Sequence, residues 1–401
     1  MQTRQIPCTP PRRMRLIDTM PELEQLAGDL AGEPLIAADT EAAGYHRYLD
    51  RLCLLQLSTR DRTWIVDTIA LGSLNPIGDM FESPAVEVVF HDADFDLRLL
   101  DRDFGITVRG LFDTKVAARF AGERSFGLAN LLEEALGVAL EKKYQRADWA
   151  KRPLSEEMLE YAATDTRYLP QLRDLLRGRL EEMGRLHWAE EEFRLGEEAR
   201  WSPPEDADDA YVRLKGTRDL DPRSMAALRE LYQWRETVAE ARDAAPFRVL
   251  TNDVLVETAR RLPADAGALT AVPGLSVGNA RRWGDALLAA VERARTLPDS
   301  ELPVRPRLPR RQQRDPTLEA RIEELKKARD READRLGLER GFLMPRSQLE
   351  EVARAVPSST AELASMPGIR NWQVEAMGEA LIRSLTENGT PSPGHGRLDG
   401  R

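Results

Sequence analysis

Every strand-like run in this chain falls within its first 180 residues, and from residue 210 onward the sequence carries only helical periodicity. That break constrains the fold most. Strands and helices interleaved in one stretch must share a layered core, whereas a strandless stretch must bury helix faces against one another. A chain of 401 residues is also too long for one ordinary core, and at roughly 100–200 residues per domain it divides into two to four.

Four short apolar runs read as strands: Pro34–Asp39, Leu52–Leu57, Thr63–Asp67 and Val86–Phe90. Helical patterns lie between and after them at Pro21–Leu30, Asp96–Phe104, Thr114–Phe120 and Leu128–Leu136. Ser155–Arg179 keeps a helical period behind an N-cap serine with Glu156 and Glu157 in its first turn. The expectation for residues 1–200 is an α/β fold with a mixed sheet. An acidic Pro/Asp-rich linker, 201–209, should then lead into an all-helical unit at 210–296, built on Ser224–Ala241, Asn252–Leu262 and Leu275–Ala294. A Pro/Arg-rich linker is expected over 297–317, a second helical unit over 318–386 and a disordered tail over 387–401. Phe247-Arg-Val-Leu-Thr matches Phe342-Leu-Met-Pro-Arg, and Val272-Pro-Gly-Leu matches Met366-Pro-Gly-Ile. The two helical units therefore read as a diverged repeat with a period of about 95 residues.

No apolar run approaches the roughly 20 residues of a membrane span. The Arg-containing amino terminus lacks the apolar segment of a signal peptide. Cys8 and Cys53 are too few for a disulfide framework or a zinc site, so a cytoplasmic protein is the expectation. The net charge of −10 argues mildly against a nucleic-acid partner. Its distribution is uneven: 181–209 alone holds 11 acidic and 3 basic residues, while 210–296 holds 11 and 14. No functional reading of the acidic segment follows from the sequence.

Asp39 and Glu41 close the first strand-like run, and positions i and i+2 of a strand share a face. Taken alone, the pair could be two solvated acids. Asp96 opens a helix after His91-Asp-Ala-Asp-Phe, where capping would also explain a carboxylate. Tyr161 and Asp165 stand one helical turn apart on one face. Together, four acids and a phenol meet the needs of hard divalent cations, which a clamped phosphoryl displacement uses in pairs. No phosphate loop, Rossmann fingerprint or zinc cluster competes, and no small-molecule organic cofactor is expected. His91 reads as structural.

The three acidic segments resemble the motifs of DEDD-superfamily 3′–5′ exonucleases of the type with Tyr in the third motif. The stretch from Asp148-Trp-Ala-Lys-Arg-Pro through Tyr161-Ala-Ala-Thr-Asp165, with Phe112-Asp-Thr-Lys and Gly127-Leu-Ala-Asn-Leu-Leu, resembles the ribonuclease D family. The helical units resemble its HRDC domains, the first through Tyr232–Arg235, Pro246-Phe247 and Gly274. The resemblance implies a ribonuclease H-like mixed-sheet exonuclease domain followed by two HRDC-type modules. It further implies 3′–5′ hydrolysis of RNA to nucleoside 5′-monophosphates, typically in trimming tRNA precursors. Asp39, Glu41, Asp96 and Asp165 would then hold two divalent cations, Mg2+ or Mn2+, with Tyr161 beside the attacking water. The family often has Phe directly after its Asp-Thr-Glu. This chain has Ala42, and Tyr45 and Tyr48 are the rings that could replace it.

Lys142, Lys143, Arg146, Lys151 and Arg152 flank the third motif and could hold RNA phosphates, or form an ordinary solvated basic loop. Trp149 reads as a packing anchor. DNA exonuclease action, general RNA decay and a non-catalytic RNA-binding scaffold remain as rival readings. A monomer without membrane association is expected.

Overall fold

Leu35–Ala38 are fully or almost fully buried, and they make the strand that carries the first two acids the middle of a sheet. In the computed structural model, which describes residues 14–203, 207–303 and 315–387, six strands form one sheet. They are β1 (Met14–Ile17), β2 (Leu35–Ala42), β3 (Leu52–Ser58), β4 (Thr63–Asp67), β5 (Glu87–Phe90) and β6 (Leu111–Asp113), in the order β1-β4-β3-β2-β5-β6. β3 runs antiparallel to both neighbours and the other pairings are parallel, which is the mixed sheet expected. β1 and β6 were not expected from the sequence. They have four and three residues, too few for a period of two to show.

Nine helices accompany the sheet among the described residues: α1 (Met20–Leu30), α2 (Thr68–Leu71), α3 (Asn75–Glu82), α4 (Asp94–Phe104), α5 (Thr114–Phe120), α6 (Leu128–Leu136), α7 (Glu156–Arg167), α8 (Leu169–Glu182) and α9 (Leu186–Gly196). The single helix expected over Ser155–Arg179 is two. Pro170 has no N–H for the carbonyl of Thr166 and its ring would crowd it, so the chain breaks at Tyr168 and restarts as α8 with proline in its first turn.

The first helical module consists of α10 (Pro222–Ala241), α11 (Pro246–Val249), α12 (Asn252–Arg261), α13 (Ala266–Thr270) and α14 (Val277–Thr296). The second repeats it as α15 (Pro316–Leu336), α16 (Arg340–Leu343), α17 (Arg346–Ala355), α18 (Thr360–Ala364) and α19 (Asn371–Glu387). Matching details confirm the repeat. A buried arginine in each long helix donates to the carbonyl that follows the one-turn helix, Arg235 to Leu250 at 3.3 Å and Arg329 to Met344 at 3.0 Å. Leu262 and Val356 end α12 and α17 in the same left-handed conformation, at φ 45° and 48°. Residues 207–209, expected in the acidic linker, begin a 3-10 helix, Ala207–Arg213. The expected tail beyond residue 387 and most of the Pro/Arg-rich segment lie outside the described residues.

The first module has its own core, centred on Leu228, Leu231, Leu255 and Leu287. The second shares a core with the α/β unit. Phe120 of α5 meets Phe342 and Trp372 edge-on at 4.8 and 4.9 Å, and Arg185 donates to the carbonyls of Phe120 and Leu336 at 2.9 and 2.8 Å. Among the described residues no helix is long and apolar enough to cross a membrane.

Candidate active site

β2 pairs with β3 so that Asp39 lies opposite Gln56 and Glu41 opposite Leu54, which places all four side chains on one face of the sheet. The register shifts between Glu41 and Ala42, past which only Ala42 still pairs with β3, opposite Leu52. Thr40 alternates to the other face, where its hydroxyl donates to the Asp96 carboxylate at the start of α4. Asp113 fixes the approach to that helix. Its carboxylate accepts the backbone N–H groups of Asp92 and Ala93 at 3.1 and 2.8 Å, and also caps α5 through Lys115 and Val116. Asp92 meanwhile takes a left-handed turn at φ 67°.

α7 covers the face that Asp39 and Glu41 share. Ser155 caps it by accepting the Met158 N–H at 3.2 Å. The Thr166 hydroxyl is hydrogen-bonded to Ser58 at 2.8 Å, and Ser58 in turn to Thr63 at 2.9 Å, a buried chain that ties the helix to β3 and β4. Tyr161 and Asp165 therefore point back toward the acids of β2. The Tyr161 ring lies against Trp149, with centroids 6.2 Å apart, and edge-on to Tyr144 at 5.7 Å. Trp149 is almost fully buried, as a packing anchor should be. A cavity of about 640 Å3 opens beside this helix, lined by Leu140, Tyr144, Tyr161, Thr164 and Asp165.

The acids perturb one another. Burial, then the charges of Asp96, Asp165 and Glu41, hold the Asp39 carboxyl well above the usual carboxylate range. Burial, then Asp165 and Asp96, does the same to Glu41. Burial pushes Asp96 and Asp165 up to about 7, with the Thr40 bond pulling Asp96 the other way. Burial, then the nearby Asp165, Glu41 and Asp39, raises the Tyr161 phenol further, so it stays protonated. Among the described residues no Lys or Arg pairs with any of the four acids, and no trio of His, Cys, Asp or Glu converges tightly enough to enclose an ion by itself. The Gln56 amide, buried opposite Asp39, has neither its nitrogen nor its oxygen bonded. Clustered carboxylate oxygens without basic partners, beside an unsatisfied amide, are a donor set that fits hard divalent cations and their water.

A 3′–5′ exonuclease family model matches residues 14–181, and the HRDC domain matches residues 224–291 and 319–385. Ribonuclease D of Acidiphilium cryptum is 32% identical over 372 residues, covering 92% of each chain. Ribonuclease D of Pseudomonas paraeruginosa is 31% identical over 92% of this chain and 98% of its own. The crystal structure of Escherichia coli RNase D, an exoribonuclease involved in structured RNA processing, superposes with a TM-score of 0.68 at 30% identity, over 94% of this chain and 99% of that one. This chain belongs to the ribonuclease D family. It is accordingly a 3′–5′ exoribonuclease, and DEDD-type exonucleases depend on divalent metal.

Against the ribonuclease D pattern, the structure separates the five basic residues expected to hold RNA. Lys142, Arg146 and Lys151 are exposed, and among the described residues none has an acidic partner. Lys143 is paired with Glu157 at 2.7 Å. Arg152 is committed elsewhere. Its guanidinium closes on the buried Asp67 carboxylate at 2.6 and 2.7 Å and donates to the carbonyls of Trp149 and Cys53 at 2.6 and 3.2 Å. It fastens the segment before α7 to β3 and β4, so its expected phosphate role gives way to a structural one. Beyond Ala42, Tyr45 is exposed, whereas the Tyr48 backbone N–H is tied to Asp243 at 3.3 Å. His91 is hydrogen-bonded to Thr114 at 2.9 Å. Thr40, Gln56 and Asp113 are assigned no role by the sequence reading. A polar residue inside a buried strand signals Gln56, and an acid directly before a helical run signals Asp113.

Proposed function

We propose that this exoribonuclease trims the 3′ ends of tRNA precursors, releasing nucleoside 5′-monophosphates, with Asp39, Glu41, Asp96 and Asp165 holding two divalent cations, Mg2+ or Mn2+. The observation that carries the reading is the gathering of four acids, Asp96 buried and the other three part-buried, none with a basic partner among the described residues and three of them beside the Tyr161 phenol, whose pKa they raise. When bound, the cations would activate water toward phosphorus and offset charge on the leaving 3′-oxygen. Tyr161 donates a hydrogen bond that orients the nucleophile and, with its pKa raised, does not serve as the base. Thr40 holds the Asp96 carboxylate in place. Lys142, Arg146 and Lys151 receive backbone phosphates. The exonuclease domain spans 1–200, the HRDC-type modules 210–296 and 318–386, and the protein acts as a cytoplasmic monomer. The separate core of the first module supports that division.

The test is release of mononucleotides from a tRNA carrying a 3′ trailer, compared with single-stranded DNA, in Mg2+, Mn2+ or chelator. Trimming of the trailer with metal, and its loss in Asp165→Asn with RNA binding retained, supports the reading. Equal turnover of DNA, or wild-type turnover by Asp165→Asn, overturns it.

A further inference from the structure

Four residues beyond Glu41, the Tyr45 ring stands 42% exposed, and Phe247, from the first helical module, is 44% exposed beside it. Their centroids are 5.3 Å apart with the planes tilted by 54°, so the rings meet without covering each other. Two guanidinium groups flank the pair. The Arg146 and Arg248 carbons lie 5.6 and 5.8 Å from the Tyr45 centroid. Among the described residues neither guanidinium has an acidic partner, in contrast to Arg47 of the same loop, which is paired with Asp148 and Asp243 at 2.9 and 3.4 Å.

The arrangement is built rather than incidental. His46 joins its halves: Nε2 donates to the Arg146 carbonyl at 2.9 Å, Nδ1 accepts from Arg248 at 2.9 Å, and its own carbonyl accepts the Ala245 N–H at 3.2 Å. Gly44 lets the loop turn this tightly, because a Cβ there would run into the Asp50 carboxylate. The platform also adjoins the catalytic helix, since the segment that supplies Arg146 supplies Tyr144 and Trp149 to the Tyr161 ring. Exposed aromatic faces next to unpaired guanidinium groups recognise a ligand that is flat on one side and anionic on the other. A nucleotide of a single-stranded 3′ end has that character.

We propose that Tyr45 and Phe247, with Arg146 and Arg248, form a stacking clamp for an RNA base upstream of the scissile bond, so that the first helical module grips substrate directly. The proposal rests on the exoribonuclease reading above and assigns one subsite within it.

The test uses the full-length protein and single-stranded RNA carrying 2-aminopurine at successive positions from the 3′ end, bound by Asp165→Asn. One position should be quenched. Adding Phe247→Ala should abolish that quenching and Phe247→Trp should keep it. In the otherwise wild-type enzyme, Phe247→Ala should raise KM for such RNA roughly tenfold while kcat falls by less, and Phe247→Trp should restore KM. Unfolding midpoints of each variant separate lost stacking from a loosened module. An unchanged KM, quenching that survives Phe247→Ala, or a KM defect that tracks the unfolding midpoint and is not restored by tryptophan overturns the clamp alone. If the wild-type protein releases no mononucleotides with metal present, the exoribonuclease reading falls and the clamp falls with it.

Discussion

Glu191 stands at the amino end of α19 and accepts the backbone N–H of Trp372 at 2.9 Å. The same carboxylate accepts the Asn371 N–H at 2.8 Å, while Glu192 accepts the Trp372 indole N–H at 2.6 Å and Glu375 meets His187 at 2.8 Å. A carboxylate at a helix amino terminus satisfies donors that have no partner within the helix and lies favourably in its dipole. Two acids of the stretch between residues 181 and 209, Glu191 and Glu192, thus form a docking edge for the second module, while Glu197 accepts the Leu111 N–H of β6 at 3.0 Å.

Glu191→Ala should therefore loosen the second module without touching Asp39, Glu41, Asp96 or Asp165. Losing a charged helix cap costs about 1–2 kcal/mol. Denaturant unfolding should show that loss, and limited proteolysis should release a fragment containing α15–α19 sooner than in wild type. An unchanged midpoint and proteolysis rate would contradict the docking role.

The difference between what was legible and what was not follows range along the chain. Asp39 with Glu41, and Tyr161 with Asp165, are juxtaposed by strand and helix periodicity, so spacing alone exposes them. Asp96 reaches the site through Thr40 and the loop held by Asp113, contacts across the sheet that no local window contains. Glu191 and Glu192 of the acidic segment looked unmotivated because their partners, Asn371 and Trp372, lie about 180 positions away. Arg152 misled for the same reason. In sequence it stands in a basic loop, yet it is bonded to Asp67 at the end of β4.

Arg152→Gln should accordingly act on stability rather than on RNA. It leaves the nearly buried Asp67 carboxylate without its cation, a loss of about 2 kcal/mol once the partial exposure of the arginine is allowed for. Lys151→Gln should instead leave stability within about 0.5 kcal/mol and flatten the salt dependence of RNA affinity by about one counterion. Unfolding curves and binding titrations at several salt concentrations distinguish the two. A common phenotype would erase the distinction.

Gln56 carries the opposite trade. A buried amide bonded to nothing costs about 1–3 kcal/mol, so Gln56→Leu should leave the metal-free protein as stable or up to about 2 kcal/mol more stable. If the amide serves the hydrated ions beside Asp39, the same substitution should lower kcat at saturating Mg2+ by roughly tenfold. Unfolding in chelator read beside steady-state hydrolysis tests both halves. A stabilised variant with full activity would make Gln56 a packing residue only.

The acids set how stability should vary with pH. Asp96 and Asp165 titrate at about 7 in the fold, against roughly 4 in an unfolded chain. Between those values the native state holds protons that the unfolded state has released. Stability of the metal-free protein therefore falls as pH rises from about 4 through 7, and the raised Asp39 and Glu41 carboxyls act in the same direction. A divalent cation that takes the place of those protons binds more tightly as they leave, so its stabilisation grows over the same window, reaching about 2.7 kcal/mol at a hundredfold excess over Kd. Thermal midpoints in chelator should decline from pH 5 to pH 8, and the Mg2+-induced rise should be larger at pH 8 than at pH 5. Asp165→Asn removes one of the titrating groups and should blunt both trends. A midpoint in chelator that rises with pH, or a Mg2+ shift of equal size at both pH values, would show that these carboxylates are not the ones a cation binds.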